Sequence, residues 1–121
     1  MRALTDSELE LYDHVPGTDA LRTRIAVVPF LQPRTHGMTL GRLVLLRRDH
    51  ADDTELIAHE LVHVHQWREL GPLRFLTAYL TAYLRGLARF RSHRRSYRAI
   101  PAEVEARAET AAWAARRGAP R

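Results

Sequence analysis

The sequence predicts an α+β domain in which a small antiparallel or mixed sheet precedes three main helices. Three observations carry that expectation. Arg24-Ile25-Ala26-Val27-Val28 and Met38 through Leu46 are apolar, β-branched-rich runs of strand length, punctuated by Pro29, Pro33, Gly37 and Gly41. Leu56, Ile57, Leu61, Val62, Val64 and Trp67 then make the segment from about 54 to 69 apolar on most sides, the mark of a core helix. After Gly71-Pro72, leucines recur at three- and four-residue steps, and an alanine- and glutamate-rich run closes the chain.

In chain order, Asp6-Ser7-Glu8-Leu9-Glu10-Leu11-Tyr12 reads as one or two helical turns that Thr5 or Asp6 can cap, followed by a turn at Pro16-Gly17. His14 falls in this loop region and is expected to be solvated. Pro29 and Pro33 close the first strand, and proline there argues for an edge position or a strand end. The second strand reads as two pieces, with Gly41 at a bulge or tight turn. Asp52, Asp53 and Thr54 offer N-cap oxygens to the next helix, Glu55 adds negative charge to its first turn, and Gly71-Pro72 stops it.

Length and composition set the bounds. A chain of 121 residues supports one domain with a modest core. The absence of cysteine excludes disulfides, thiolate metal sites and cysteine nucleophiles. No apolar run approaches a membrane span, and the acidic start lacks a signal-peptide core, so a cytoplasmic address is expected. The net charge of +5 is unevenly placed. Residues 1–60 carry seven Arg against ten Asp and Glu, and residues 61–121 carry twelve Arg against four Glu. Six of those arginines lie between Arg85 and Arg98, a run expected to form a solvated basic face. Leu73, Leu76, Leu80, Leu84 and Leu87 form one stripe of their helix, and Phe75, Tyr79 and Tyr83 form its neighbour. Both are expected to pack in the core against the preceding helix; the alternative is a surface for a membrane or a partner helix.

The chemistry concentrates in His59-Glu60-Leu61-Val62-His63. On a helix, residues four apart differ by one turn plus about 40°, so the two imidazoles project together and can reach one ion. Zinc accepts neutral imidazole nitrogen and makes no directional demand. Glu60 lies about 100° round from His59, where it can take a proton from a water held at the metal. A catalytic zinc site needs a third protein ligand and an open position. His65, about 200° from His63, faces away. His93 lies in a strongly positive stretch, whereas Glu103 and Glu105 open a downstream helix and can offset the ion's charge.

His59-Glu60-Leu61-Val62-His63, then a helical hairpin, then Glu103-Val104-Glu105-Ala106, resembles the gluzincin metallopeptidases, in particular the minimal-core members called minigluzincins. The resemblance covers residues 38 to 110. It implies a zincin-like core; the chain as a whole, 1–121, reads as a single domain with strands at about 24–46, a metal helix at about 54–69, a helical hairpin at about 72–91 and a third-ligand helix at about 101–117, ended by Gly118 and Pro120. It selects Glu103 as third ligand, with Glu105 as fallback, and Zn2+ as cofactor. The chain departs from the pattern at Arg107, where an Asp or Asn usually supports a zinc-binding histidine, so another residue must orient that imidazole.

The expected activity is therefore hydrolysis of a peptide or protein substrate, with Glu60 as general base. The growing negative charge on the substrate oxygen needs a donor. Tyr97, His93 and Arg98 precede the third-ligand helix, and Tyr97 is the favoured one. The last strand before the metal helix offers a free edge for an extended peptide. So short a chain leaves little room for a second wall to the cleft, which points to a homo-oligomer or a partner protein. A competing reading is a non-catalytic, zinc-stabilised module whose Arg85–Arg98 segment contacts nucleic acid, anionic lipid or a protein.

Overall fold

A computed structural model of the chain describes residues 1–118. Strand β1 (Arg2–Ala3) leads into α1 (Asp6–Leu11) and α2 (Gly17–Arg22). Strands β2 (Arg24–Val28), β3 (Gly37–Leu40) and β4 (Leu43–Arg47) follow, then α3 (Thr54–Leu70), α4 (Pro72–Phe90), α5 (His93–Ala99) and α6 (Pro101–Gly118). The architecture is α+β: a small mixed sheet followed by helices, three of them long.

The sheet order is β1-β2-β4-β3. β2 runs parallel to β4, pairing Ile25 with Val44, while β1 and β3 flank them antiparallel. Pro29 stands just past the end of β2, which is an interior strand, so its missing N–H breaks no ladder. The two-piece run from 38 to 46 resolves into the β3–β4 hairpin, with Gly41-Arg42 as the turn. β3 is therefore an edge strand, and it borders α3; β4, the last strand before α3, is paired on both sides, so the free edge expected of the last strand belongs to β3 instead.

α3 is the centre of the fold. Ile57, Ala58, Leu61, Val62 and Val64 are buried on several of its sides, against Ile25, Val44 and Leu46 of the sheet and Ala106 and Trp113 of α6. Each fully buried side chain of that size contributes about 1.5–3 kcal/mol. Trp113 ties the last helix to the first: its indole N–H donates to the Leu11 carbonyl at 2.9 Å, and its ring packs on Tyr12. Gly71, at φ +81, ends α3 in a conformation that β-carbon sterics disfavour, and Pro72 starts α4 one residue later.

Several expectations need correction. α2 occupies residues 17–22, just beyond the expected turn; its start at Gly17 carries no side-chain cap that would mark it. His14 is not solvated. Its Nε2–H donates to the Ala58 carbonyl at 2.9 Å, its ring packs on Trp113, and burial lowers its pKa. The helical hairpin expected over 72–91 is one continuous helix to Phe90; Arg91, at φ +51, turns the chain and the Ser92 side chain caps α5. On α4 the aromatic stripe turns inward, with Phe75 5% exposed. The leucine stripe does not enter the core: Leu73, Leu76, Leu80 and Leu84 are all at least half exposed. The six arginines from Arg85 to Arg98 are exposed. Pro120 lies outside the described residues.

Candidate metal centre

α3 starts where Asp53 Oδ1 accepts the Leu56 N–H at 3.1 Å, and this cap fixes the helical phase of everything after it. His59 and His63 project from the same face with ring centroids 4.9 Å apart. Their partner comes from α6. Ile100, the single residue between α5 and α6, is buried and anchors the first turn that carries Glu103. Glu103 is itself 3% exposed. Its Oε1 lies 3.0 Å from His59 Nε2 and 3.2 Å from His63 Nε2. Its Oε2 accepts a hydrogen bond from the Tyr79 hydroxyl of α4 at 2.6 Å. One carboxylate oxygen thus faces both imidazoles and the other is held away.

The hydrogen bonds around Gln66 fix how His63 presents itself. Gln66 Nε2–H donates to the Ala102 carbonyl at 3.0 Å and to Glu105 Oε1 at 2.9 Å, both acceptors only. The amide oxygen therefore faces His63 Nδ1, 2.7 Å away, and accepts its N–H. A neutral His63 then has a bare Nε2 lone pair aimed at the lone pairs of Glu103 Oε1. Two buried acceptors facing each other repel unless a cation lies between them. A proton can serve, and so can a metal ion. The donor set fits a metal: four ligands around zinc at about 2.0–2.1 Å are about 3.3–3.4 Å apart in a tetrahedron. The two separations from Glu103 Oε1, 3.0 Å and 3.2 Å, are within a few tenths of an ångström of that. Ligand atoms of His59, His63 and Glu103 lie within 4.8 Å of one another, close enough to hold a metal ion.

The electrostatics agree. Burial alone drives the Glu103 carboxyl up, but hydrogen bonds from His59, His63 and Tyr79 hold it far below the usual carboxylate range. Burial alone lowers His63, and the Glu103 carboxylate outweighs it, so the imidazole sits above its ordinary value. Glu60, 5% exposed on the same helix, is raised by burial, with partial relief from His63 and His59. The Thr39 hydroxyl of β3 lies 2.9 Å from its Oε1 and holds that oxygen.

The structure therefore brings His59, His63, Glu103 and Glu60 together. Glu105, the fallback ligand, is not among them; it stands one step back, holding Gln66. His65 points the other way, its Nδ1 2.6 Å from the buried Asp19. His93 also stays out, 2.8 Å from the Tyr83 hydroxyl. Tyr97 borders the site: burial of its hydroxyl and the charges of Glu103 and Glu60 raise its pKa, while the side chain as a whole is 41% exposed. Arg107 binds the Arg98 carbonyl and takes no part. The support that the sequence pattern lacks at Arg107 comes instead from Gln66, three residues after His63 on the same helical face. Gln66, Tyr79 and Thr39 are the functional neighbours that sequence reading missed; only Gln66, at i+3 from a ligand, carried a local signal.

Fold and site define a small α+β domain whose central helix carries an HExxH pair completed by a distant glutamate. Comparison with known proteins adds one match. A family model described as the eCIS core domain matches residues 30–71, about a third of the chain. That stretch holds the β3–β4 hairpin, His59, Glu60 and His63, and stops short of Glu103. No curated protein and no solved structure matches the chain.

Proposed function

We propose that this chain is a zinc-dependent peptide hydrolase of the gluzincin kind, with His59, His63 and Glu103 as ligands and Glu60 as general base. One observation carries the reading. A glutamate 40 residues from His63 in sequence directs a single carboxylate oxygen at both imidazoles, with a second buried glutamate beside them. A purely structural site would be closed by four protein ligands, and only three converge among the described residues.

Bound zinc supplies Lewis acidity, polarising a water and the substrate carbonyl. Glu60 takes the proton from the attacking water and passes it to the leaving amine. A carboxyl whose pKa burial raises is a stronger proton acceptor than an exposed one, and as the acid it can hand the proton on to the leaving amine. Thr39 holds Oε1 of Glu60 and leaves Oε2 for the transfer. Gln66 fixes the His63 ring, and Tyr79 fixes the Glu103 carboxylate. The Tyr97 hydroxyl, kept protonated by its surroundings, donates to the carbonyl oxygen as it gains charge. The open edge of β3 pairs with the backbone of an extended peptide.

The test is Glu60→Gln. The variant should bind metal as wild type does and cleave peptides roughly 10²–10⁴-fold more slowly. Wild-type cleavage by that variant rejects the reading.

A further inference from the structure

One face of α4 is apolar, and none of the described residues covers it. Leu73 is 80% exposed, Leu76 51%, Leu80 56% and Leu84 54%. Their spacing places them on an arc of about 80°, in a ridge about 16 Å long. Phe75 and Gly86 lie on a different side, turned into the protein, so the ridge is not the helix's packing face. The charged residues of α4 are all basic, Arg74, Arg85 and Arg89, with no acidic residue in the helix. Arg91, Arg94, Arg95 and Arg98 extend the positive charge along the next segment, and all seven are exposed. Among the described residues, the arginines that pair with carboxylates are Arg2, Arg47, Arg68 and Arg116, none of them in this group.

We propose that α4 lies in the plane of an anionic lipid surface, with the leucine ridge in the acyl boundary and the arginines among the headgroups. Charge decides among occupants. A second copy of the chain would bring the same unpaired arginines to the same ridge and repel it. A protein groove that seated the ridge would need a rim of carboxylates to meet seven arginines, and it would leave the chain indifferent to lipid. An anionic bilayer meets both features: it takes a convex apolar ridge and attracts each arginine within about a Debye length. The helix is not long and apolar enough to cross a membrane, so it rests on the surface.

The experiment is vesicle flotation of the full chain at physiological salt, with phosphatidylcholine vesicles and with vesicles containing phosphatidylglycerol. Wild type should float with the anionic vesicles and not with the neutral ones. Leu76→Ser combined with Leu80→Ser should weaken that binding roughly tenfold or more. Both leucines are exposed, so the thermal transition of the variant should match wild type and certify its fold. Equal binding by wild type and the double variant would reduce the effect to nonspecific attraction of a basic protein and overturn the proposal. So would equal binding to both vesicle types, no binding to either, or a sedimentation dimer that the double variant abolishes.

Discussion

Gln66→Met is the most informative single perturbation, because it keeps the side-chain volume and removes three hydrogen bonds. Wild-type Gln66 accepts from His63 Nδ1–H at 2.7 Å and donates to the Ala102 carbonyl at 3.0 Å and to Glu105 at 2.9 Å. The residue is 7% exposed, so water cannot readily replace it. Glu105 is exposed and recovers its hydration, but His63 Nδ1–H and the Ala102 carbonyl lose a partner. At about 1–3 kcal/mol for each buried group left unpaired, the metal-free protein should lose about 2–6 kcal/mol of stability. Metal binding should weaken further, because the imidazole is no longer held with Nε2 toward Glu103. Loss of a support of this type typically costs 10- to 100-fold in metal affinity, about 1.4–2.7 kcal/mol. Competition against a fluorescent chelator measures the affinity, and far-UV circular dichroism certifies the fold. A folded Gln66→Met protein that binds zinc as tightly as wild type would refute the role of Gln66.

Three further outcomes follow from the geometry. His63 lies above its ordinary pKa, so its ion pair stabilises the metal-free protein at low pH and is lost as pH rises through the raised value; Glu103 lies far below its own, so its contribution is present above the unfolded carboxyl value. Metal binding needs the His63 proton gone, so the gap between loaded and metal-free melting temperatures should widen with rising pH, and a gap that narrows contradicts the pairing. Thr39→Val removes a hydrogen bond that lowers the Glu60 pKa; the acidic limb of the pH–activity profile should move upward, and an unmoved limb would show that Thr39 does not tune the base. Gly86→Ala places a β-carbon 2.9 Å from Ser96 Cα, which is backbone, so α5 must shift at about 1–3 kcal/mol, read as a lower denaturation midpoint.

What the sequence revealed and what it hid divide along physical lines. The helix of His59 and His63 was legible because its cap, its apolar run and its Gly-Pro stop all act within a few residues. Glu103 was legible only through resemblance, since nothing local says which glutamate a distant helix turns inward. Glu105 would have served equally on composition; the one-residue link at Ile100 sets the phase that excludes it. Tyr79 was invisible for the same reason, since a polar side chain's partner on another element is decided by how helices cross; Gln66 carried only its i+3 spacing from His63 as a signal. The two stripes of α4 show the limit of periodicity. Leucine and aromatic rows have the same spacing, so periodicity assigned both to the core. The close approach of α5 at Gly86, which a larger residue would block, turned the aromatic side inward instead.

Metal content per chain tests the central claim most directly. After loading with zinc and dialysis, elemental analysis should find one ion per chain in wild type and in Glu60→Gln, and none in folded His63→Ala or Glu103→Ala. Retention of a full equivalent by those ligand variants, or none in wild type, would contradict the account.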